Sequence, residues 1–164
     1  MKTTKNSNSW RFRGNELKYV KEVLDSGFGS STIGTMNQRF EQAFAKRLGV
    51  RYAVTSNSGT ATLHQALMAF GVGPGDEVIV PALTVVMCGY AVIHTGARPV
   101  FADVDPDTYN VTAETIAPRM TPRTRAIMVT HLFGNPCDMA PIMALAERHR
   151  VPVHDLHRRG HDAA

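Results

Sequence analysis

The strongest constraint on this chain is an alternation that begins near residue 51. Short apolar runs, each bounded by turn residues, alternate with stretches whose apolar residues recur at helical spacing. Arg51–Ser56, Glu77–Val80, Pro99–Val104, Arg125–Thr130 and a segment opening at Val151–Val153 read as strands. Gly59–Phe70, Thr84–His94, Ala113–Ala117 and Met139–Arg148 read as the helices between them. Five strands alternating with helices predict a parallel sheet covered on both faces, an α/β fold. In such sheets a ligand sits beyond the carboxyl ends of the strands, here Ser56, Pro81, Val104, Thr130 and Asp155. Two helices precede the alternation. Glu16–Leu24 is broken by the loop Gly27–Ser31, and Gln38–Leu48 has Asn37 as its N-cap and Gly49 as its stop.

Composition excludes several classes. The chain has 164 residues, 43% of them hydrophobic and 20% charged, which is globular and neither disordered nor coiled-coil. No apolar run approaches the roughly 18 residues of a membrane span. The polar start Met1–Asn6 has no apolar stretch behind it, so no secretory leader is expected. Cys88 and Cys137 are too few for a disulfide framework, and a reducing cytoplasm is the expected location. The net charge of +4 raises the question of nucleic acid, but half of it comes from residues 148–164, with four arginines against Asp155 and Asp162. No aromatic residue follows Phe133 to stack on a base, so no nucleic-acid partner is expected.

Three segments at strand ends can carry chemistry. The first is Thr55–Leu63, where Ser58, Gly59 and Thr60 open a helix. Unpaired N–H groups, two hydroxyls and a glycine that admits close approach suit a phosphate dianion. The same residues also make an ordinary N-cap. The second is His131–Met139, with Asp138 placed as an N-cap and His131 as either a ligand contact or a loop histidine. The third is His154-Asp155-Leu156-His157, whose spacing fits no standard zinc pattern, so no metal is expected. Asp155, at the end of the fifth expected strand, points either into the ligand crevice or to solvent. Cys88 reads as an inert packing residue, and Cys137 lacks the partners of a thiol nucleophile.

Five motifs occur in register. They are Thr32-Ile33-Gly34 with Phe40-Glu41 and Phe44-Ala45; Ser58-Gly59-Thr60-Ala61 with Leu63; Gly73-x-Gly75-Asp76-Glu77-Val78-Ile79-Val80-Pro81; Gly96-Ala97-x-Pro99-Val100-Phe101-x-Asp103-Val104; and His131-Leu132-Phe133-Gly134-x-Pro136-x-Asp138-Met139. In these motifs the chain resembles the N-terminal portion of the DegT/StrS nucleotide-sugar aminotransferases, pyridoxal-phosphate enzymes with the aspartate-aminotransferase fold. The resemblance covers roughly residues 14–155. It implies an incomplete three-layer, mainly parallel sheet of the pyridoxal-phosphate-dependent transferase large domain over residues 13–155. A flexible N-terminus over 1–12 and a divergent basic tail over 156–164 flank it.

The resemblance also implies roles. Gly59 and Thr60 would hold the phosphate of pyridoxal 5'-phosphate, with Ser58 beside them. Val85 would contact the ring, at a position where the family usually has an aromatic residue. Asp155 would pair with the pyridine nitrogen and keep the ring protonated as an electron sink. The implied reaction moves an amino group from glutamate to a nucleotide-linked keto sugar, in a homodimer, within polysaccharide or antibiotic biosynthesis. The family continues after its fifth strand as P-V-I-E-D-C-A-Q-A-x-G. This chain reads Pro152-Val153-His154-Asp155-Leu156, one residue short before it diverges. Residues from about Leu156 onward are expected to be read out of frame. The family's Schiff-base lysine falls beyond residue 164, so no catalytic residue is assigned and the chain alone is expected to be inactive. The alternative is a non-catalytic ligand-binding or regulatory protein of the same fold.

Overall fold

The computed structural model describes residues 14–27 and 35–156, in two compact units divided between Thr55 and Ser56. The first unit holds two helices, α1 (Glu16–Asp25) and α2 (Met36–Leu48). Leu17, Val20 and Leu24 form one helical stripe, and Phe40, Phe44 and Leu48 another. All six are exposed, and neither helix buries a residue. Gly49 caps α2 in the left-handed conformation, the expected stop. The N-cap of α2 is Thr35, and Asn37, expected there, lies inside the helix.

Arg51–Ser56 is not a strand, a correction to the first of the five expected strands. Its sequence alternates as a strand does, yet Tyr52 and Val54 stay exposed. A strand exists only with a neighbour to complete its ladder, and none of the described strands pairs with it.

The second unit is the sheet. Its elements are α3 (Gly59–Ala69), β1 (Glu77–Pro81), α4 (Met87–His94), β2 (Arg98–Ala102), α5 (Ala113–Ile116), β3 (Thr124–Thr130), α6 (Met139–His149) and β4 (Val153–Leu156). Short 3-10 turns follow α5 and β3. The strand order is β2-β1-β3-β4 and every pairing is parallel. The chain therefore runs outward from β1 to β2, then crosses back to β3 on the other side. Right-handed crossovers force helices onto opposite faces when the direction reverses. That is what the packing shows. α3 and α4 cover one face, with Leu63, Leu67, Val78, Val80, Cys88, Val92, Ala126 and Met128 as its core. α5 and α6 cover the other, where Ile79, Ile116, Ile127, Val129, Ile142 and Leu145 are buried. β1 is buried at every position, as a central parallel strand should be. The reversal lies between β1 and β3, so their carboxyl ends splay into a crevice.

Candidate active site

The crevice at the reversal holds a pocket of about 340 Å³. Val85 forms one side, Thr130, His131 and the turn Leu132–Gly134 another, and Leu156 a third. Val85 belongs to the stretch expected to open α4, but the helix begins only at Met87. The freed residues Thr84 and Val85 serve the crevice instead. The Thr84 hydroxyl donates to Thr130 Oγ1 at 3.0 Å, tying the segment after β1 to the end of β3. The turn after β3 is held from below by buried Asn110. Leu132 N–H donates to Asn110 Oδ1 at 3.1 Å, and Asn110 Nδ2 donates to Asn135 O at 2.9 Å. Phe133 sits in this turn at φ 55°, a region bulky residues rarely occupy, and its side chain stands 88% exposed at the pocket rim.

The start of α3 is an N-capped helix end with unpaired donors among the described residues. Ser58 is the N-cap, and its hydroxyl accepts from Ala61 N–H at 3.1 Å. Thr62 N–H goes to Ser58 O. The N–H groups of Gly59 and Thr60 have no acceptor among the described residues. Gly59 faces open space, with nothing within 4 Å of where a Cβ would stand. Ser56 Oγ is buried nearby in sequence and likewise unpartnered among the described residues.

Asp155 is placed differently from Ser58–Thr60 and Val85. Side chains alternate along β4. Leu156 packs with the α3/α4 core, and Val153 with the α5/α6 core. Asp155 shares the Val153 face, where its Oδ1 lies 2.7 Å from His131 Nε2. The His131 side chain is 7% exposed and that of Asp155 48%. Cys137 N–H donates to His131 Nδ1 at 2.9 Å, which leaves the imidazole proton on Nε2, pointed at the carboxylate. His131 is thus a buried structural partner. The Cys137 thiol is pushed up to about 11, first by burial and then by the Asp155 charge. It donates to Thr130 O at 3.4 Å. Such a thiol is not a nucleophile. Burial lowers the His154 pKa, and its Nε2 is buried without a partner among the described residues. No three metal-ligating side chains converge among the described residues. His157 and His161 lie outside them.

A second polar cluster, not singled out in the sequence, closes the opposite end of the sheet. Glu77, 1% exposed, accepts from Arg123 Nε at 2.9 Å and from the Thr121 hydroxyl at 2.6 Å, and also pairs with Arg98. The Thr121, Arg98 and Arg123 hydrogen bonds lower its pKa to about 2. This carboxylate is fully engaged and has nothing left to offer a ligand.

The chain has similar proteins in one enzyme family. The model of the DegT/DnrJ/EryC1/StrS aminotransferase family matches residues 11–155. GDP-perosamine synthase of Caulobacter vibrioides is 48% identical over 143 residues, 87% of this chain and 38% of the relative. The crystal structure of 3-amino-5-hydroxybenzoic acid synthase superposes with a TM-score of 0.87 at 35% identity, over 92% of this chain and 39% of that one. NtdA from Bacillus subtilis, solved with bound cofactor PMP, gives a TM-score of 0.80 at 34% identity, over 85% of this chain and 32% of that one. The chain spans about 38% of the length of the curated relatives it matches.

Proposed function

The chain belongs to the DegT/DnrJ/EryC1/StrS aminotransferase family, and on that premise we propose that it is the phosphate-gripping portion of a pyridoxal-phosphate-dependent sugar aminotransferase. The observation that carries this reading is the start of α3. Two free N–H groups, an open glycine and a hydroxyl N-cap meet at the carboxyl end of the sheet. This suits the phosphate end of pyridoxal phosphate, whose ring, when bound, supplies the electron sink for moving an amino group.

The ring end fits less well. The crevice offers Val85, Thr130 and Leu156, but no carboxylate and no amine. Lys18, Lys21 and Lys46 are exposed on α1 and α2. We therefore infer reversible cofactor binding without turnover by these 164 residues alone. The reaction of the longer relatives, read onto this lineage, is amino transfer from glutamate to a nucleotide-linked keto sugar in a homodimer. The neutral crevice also favours a second reading, a non-catalytic protein that binds its ligand and releases it unchanged.

Adding pyridoxal phosphate, with and without glutamate, tests the proposal. Saturable binding that inorganic phosphate displaces, with no amino transfer, is the expected result. Turnover would overturn the inactivity. Failure of phosphate to compete would overturn the cradle.

A further inference from the structure

We infer that Leu156, and not Asp155, is the β4 residue that faces the ring pocket, so that this pocket takes a flat, uncharged ring and holds no pyridinium. The inference rests on the proposed reading of the crevice as the ring site, and three observations carry it.

The first is the face. Leu156 packs with the α3/α4 core and lines the pocket beside Val85. The helix whose N-terminus forms the phosphate cradle lies on that same face. Asp155 shares the other face with Val153, above α5 and α6. The second is the register. Val129 pairs with Asp155 and Thr130 with Leu156, and the Thr130 hydroxyl is the one that meets Thr84 at the crevice. Strand periodicity is two, so a slip of one residue moves a side chain through the sheet.

The third is engagement. The Asp155 carboxylate already accepts the buried His131 Nε2–H, which Cys137 N–H fixes in orientation. Turning it into the pocket would break that 2.7 Å contact. The pocket wall is therefore apolar where a ring nitrogen would meet it, and His154, on the same face as Leu156, is kept neutral by burial. A protonated ring nitrogen placed there would lose its hydration with no opposite charge in return.

Pyridoxamine 5'-phosphate is the probe, because it forms no imine with surface lysines. Its affinity for the full chain is measured at pH 7 in wild type, Asp155→Asn and Leu156→Asp. The wild type and Asp155→Asn are expected to agree within about twofold, and Leu156→Asp to bind about tenfold more tightly, since only it adds a charge facing the ring. Proton NMR gives a second readout. The hydrogen-bonded His131 Nε2–H resonance is expected in wild type and Leu156→Asp and lost in Asp155→Ala, which removes the acceptor oxygen. A tenfold loss of affinity in Asp155→Asn, with no gain in Leu156→Asp, would overturn the inference. If no chain binds the probe, the cofactor reading fails, and the resonance alone decides. Its loss only in Asp155→Ala sustains the placement of Asp155, and its persistence there overturns it.

Discussion

The two ends of the sheet are built on opposite terms. At the amino ends, one carboxylate gathers two guanidinium groups and a hydroxyl from two separate segments, and every partner is engaged. At the carboxyl ends, donors are left over. The Gly59 and Thr60 N–H groups and Ser56 Oγ have no partner among the described residues, and a bulky residue is held in a left-handed turn. Buried polar groups left unsatisfied cost stability. Of these leftover donors only Ser56 Oγ is buried; the Gly59 and Thr60 N–H groups stand where solvent or a ligand can reach them, so the open end is left accessible where the closed end is sealed. The closed end is where stability should be concentrated, and the open end is where a change should alter binding and spare the fold.

Removing the closed end's centre is the hardest test. Glu77→Ala leaves two guanidinium groups facing each other at the sheet floor. Thermal unfolding is expected to drop by on the order of 10 °C. An unchanged melt would mean the cluster is ornamental. Acid should probe the same cluster. The Glu77 pKa is about 2 in the folded chain against an ordinary 4.5, so the unfolded chain binds the proton more readily in that window. Stability should therefore fall as pH drops from about 4.5 toward 2, and the fall should flatten in Glu77→Gln. His154 adds an earlier limb. Its pKa is lowered from 6.5, so the unfolded chain takes up that proton first and stability begins to fall below about pH 6.5. Urea midpoints measured from pH 8 to pH 2 would show both limbs.

At the open end the effects should separate. Gly59→Ala has room for its methyl group and no positive φ to relieve. Folding stability should stay within about 0.5 kcal/mol of wild type, while affinity for pyridoxamine phosphate falls about tenfold as the methyl blocks backbone approach. A parallel fall in melting temperature would erase the contrast between the ends. Ser58→Ala should cost about 1 kcal/mol through the lost N-cap, measurable by urea unfolding. The smallest effect is a null one. Cys88 and Cys137 are both buried, and the Cys137 thiol is held near 11. Neither should react with a thiol reagent at pH 8 until denaturant is added.

Much of this was legible in the residues. β1, β2, β3 and β4 form at or within a few residues of where apolar runs and turn residues place them, and the central pair β1 and β3 is apolar on both faces. Gly49 stopped α2 as a glycine at C′ does. Arg51–Ser56 has the same local pattern and no ladder, since pairing belongs to a neighbour and not to the segment. Asp155 was found as a strand-end carboxylate, but its face depends on register. Counting by twos from Val153 assigns it to the side away from the pocket. The partnership of His131 with Asp155 and the gathering of Arg98, Thr121 and Arg123 on Glu77 join residues far apart in the chain. No local signal announces them.

The strand order has a consequence in time. β1 is the first strand made, yet it ends in the middle of the sheet, with its partners beginning only at Arg98 and Thr124. A parallel neighbour cannot be supplied by a tight turn, so both edges of Glu77–Pro81 wait for later synthesis. At roughly 5–20 residues per second, the interval until Thr130 emerges is roughly 2–10 s. During it, an apolar strand stands unpaired on a growing chain. The yield of folded protein should thus depend on translation speed and chaperone occupancy, independently of how stable the finished sheet is.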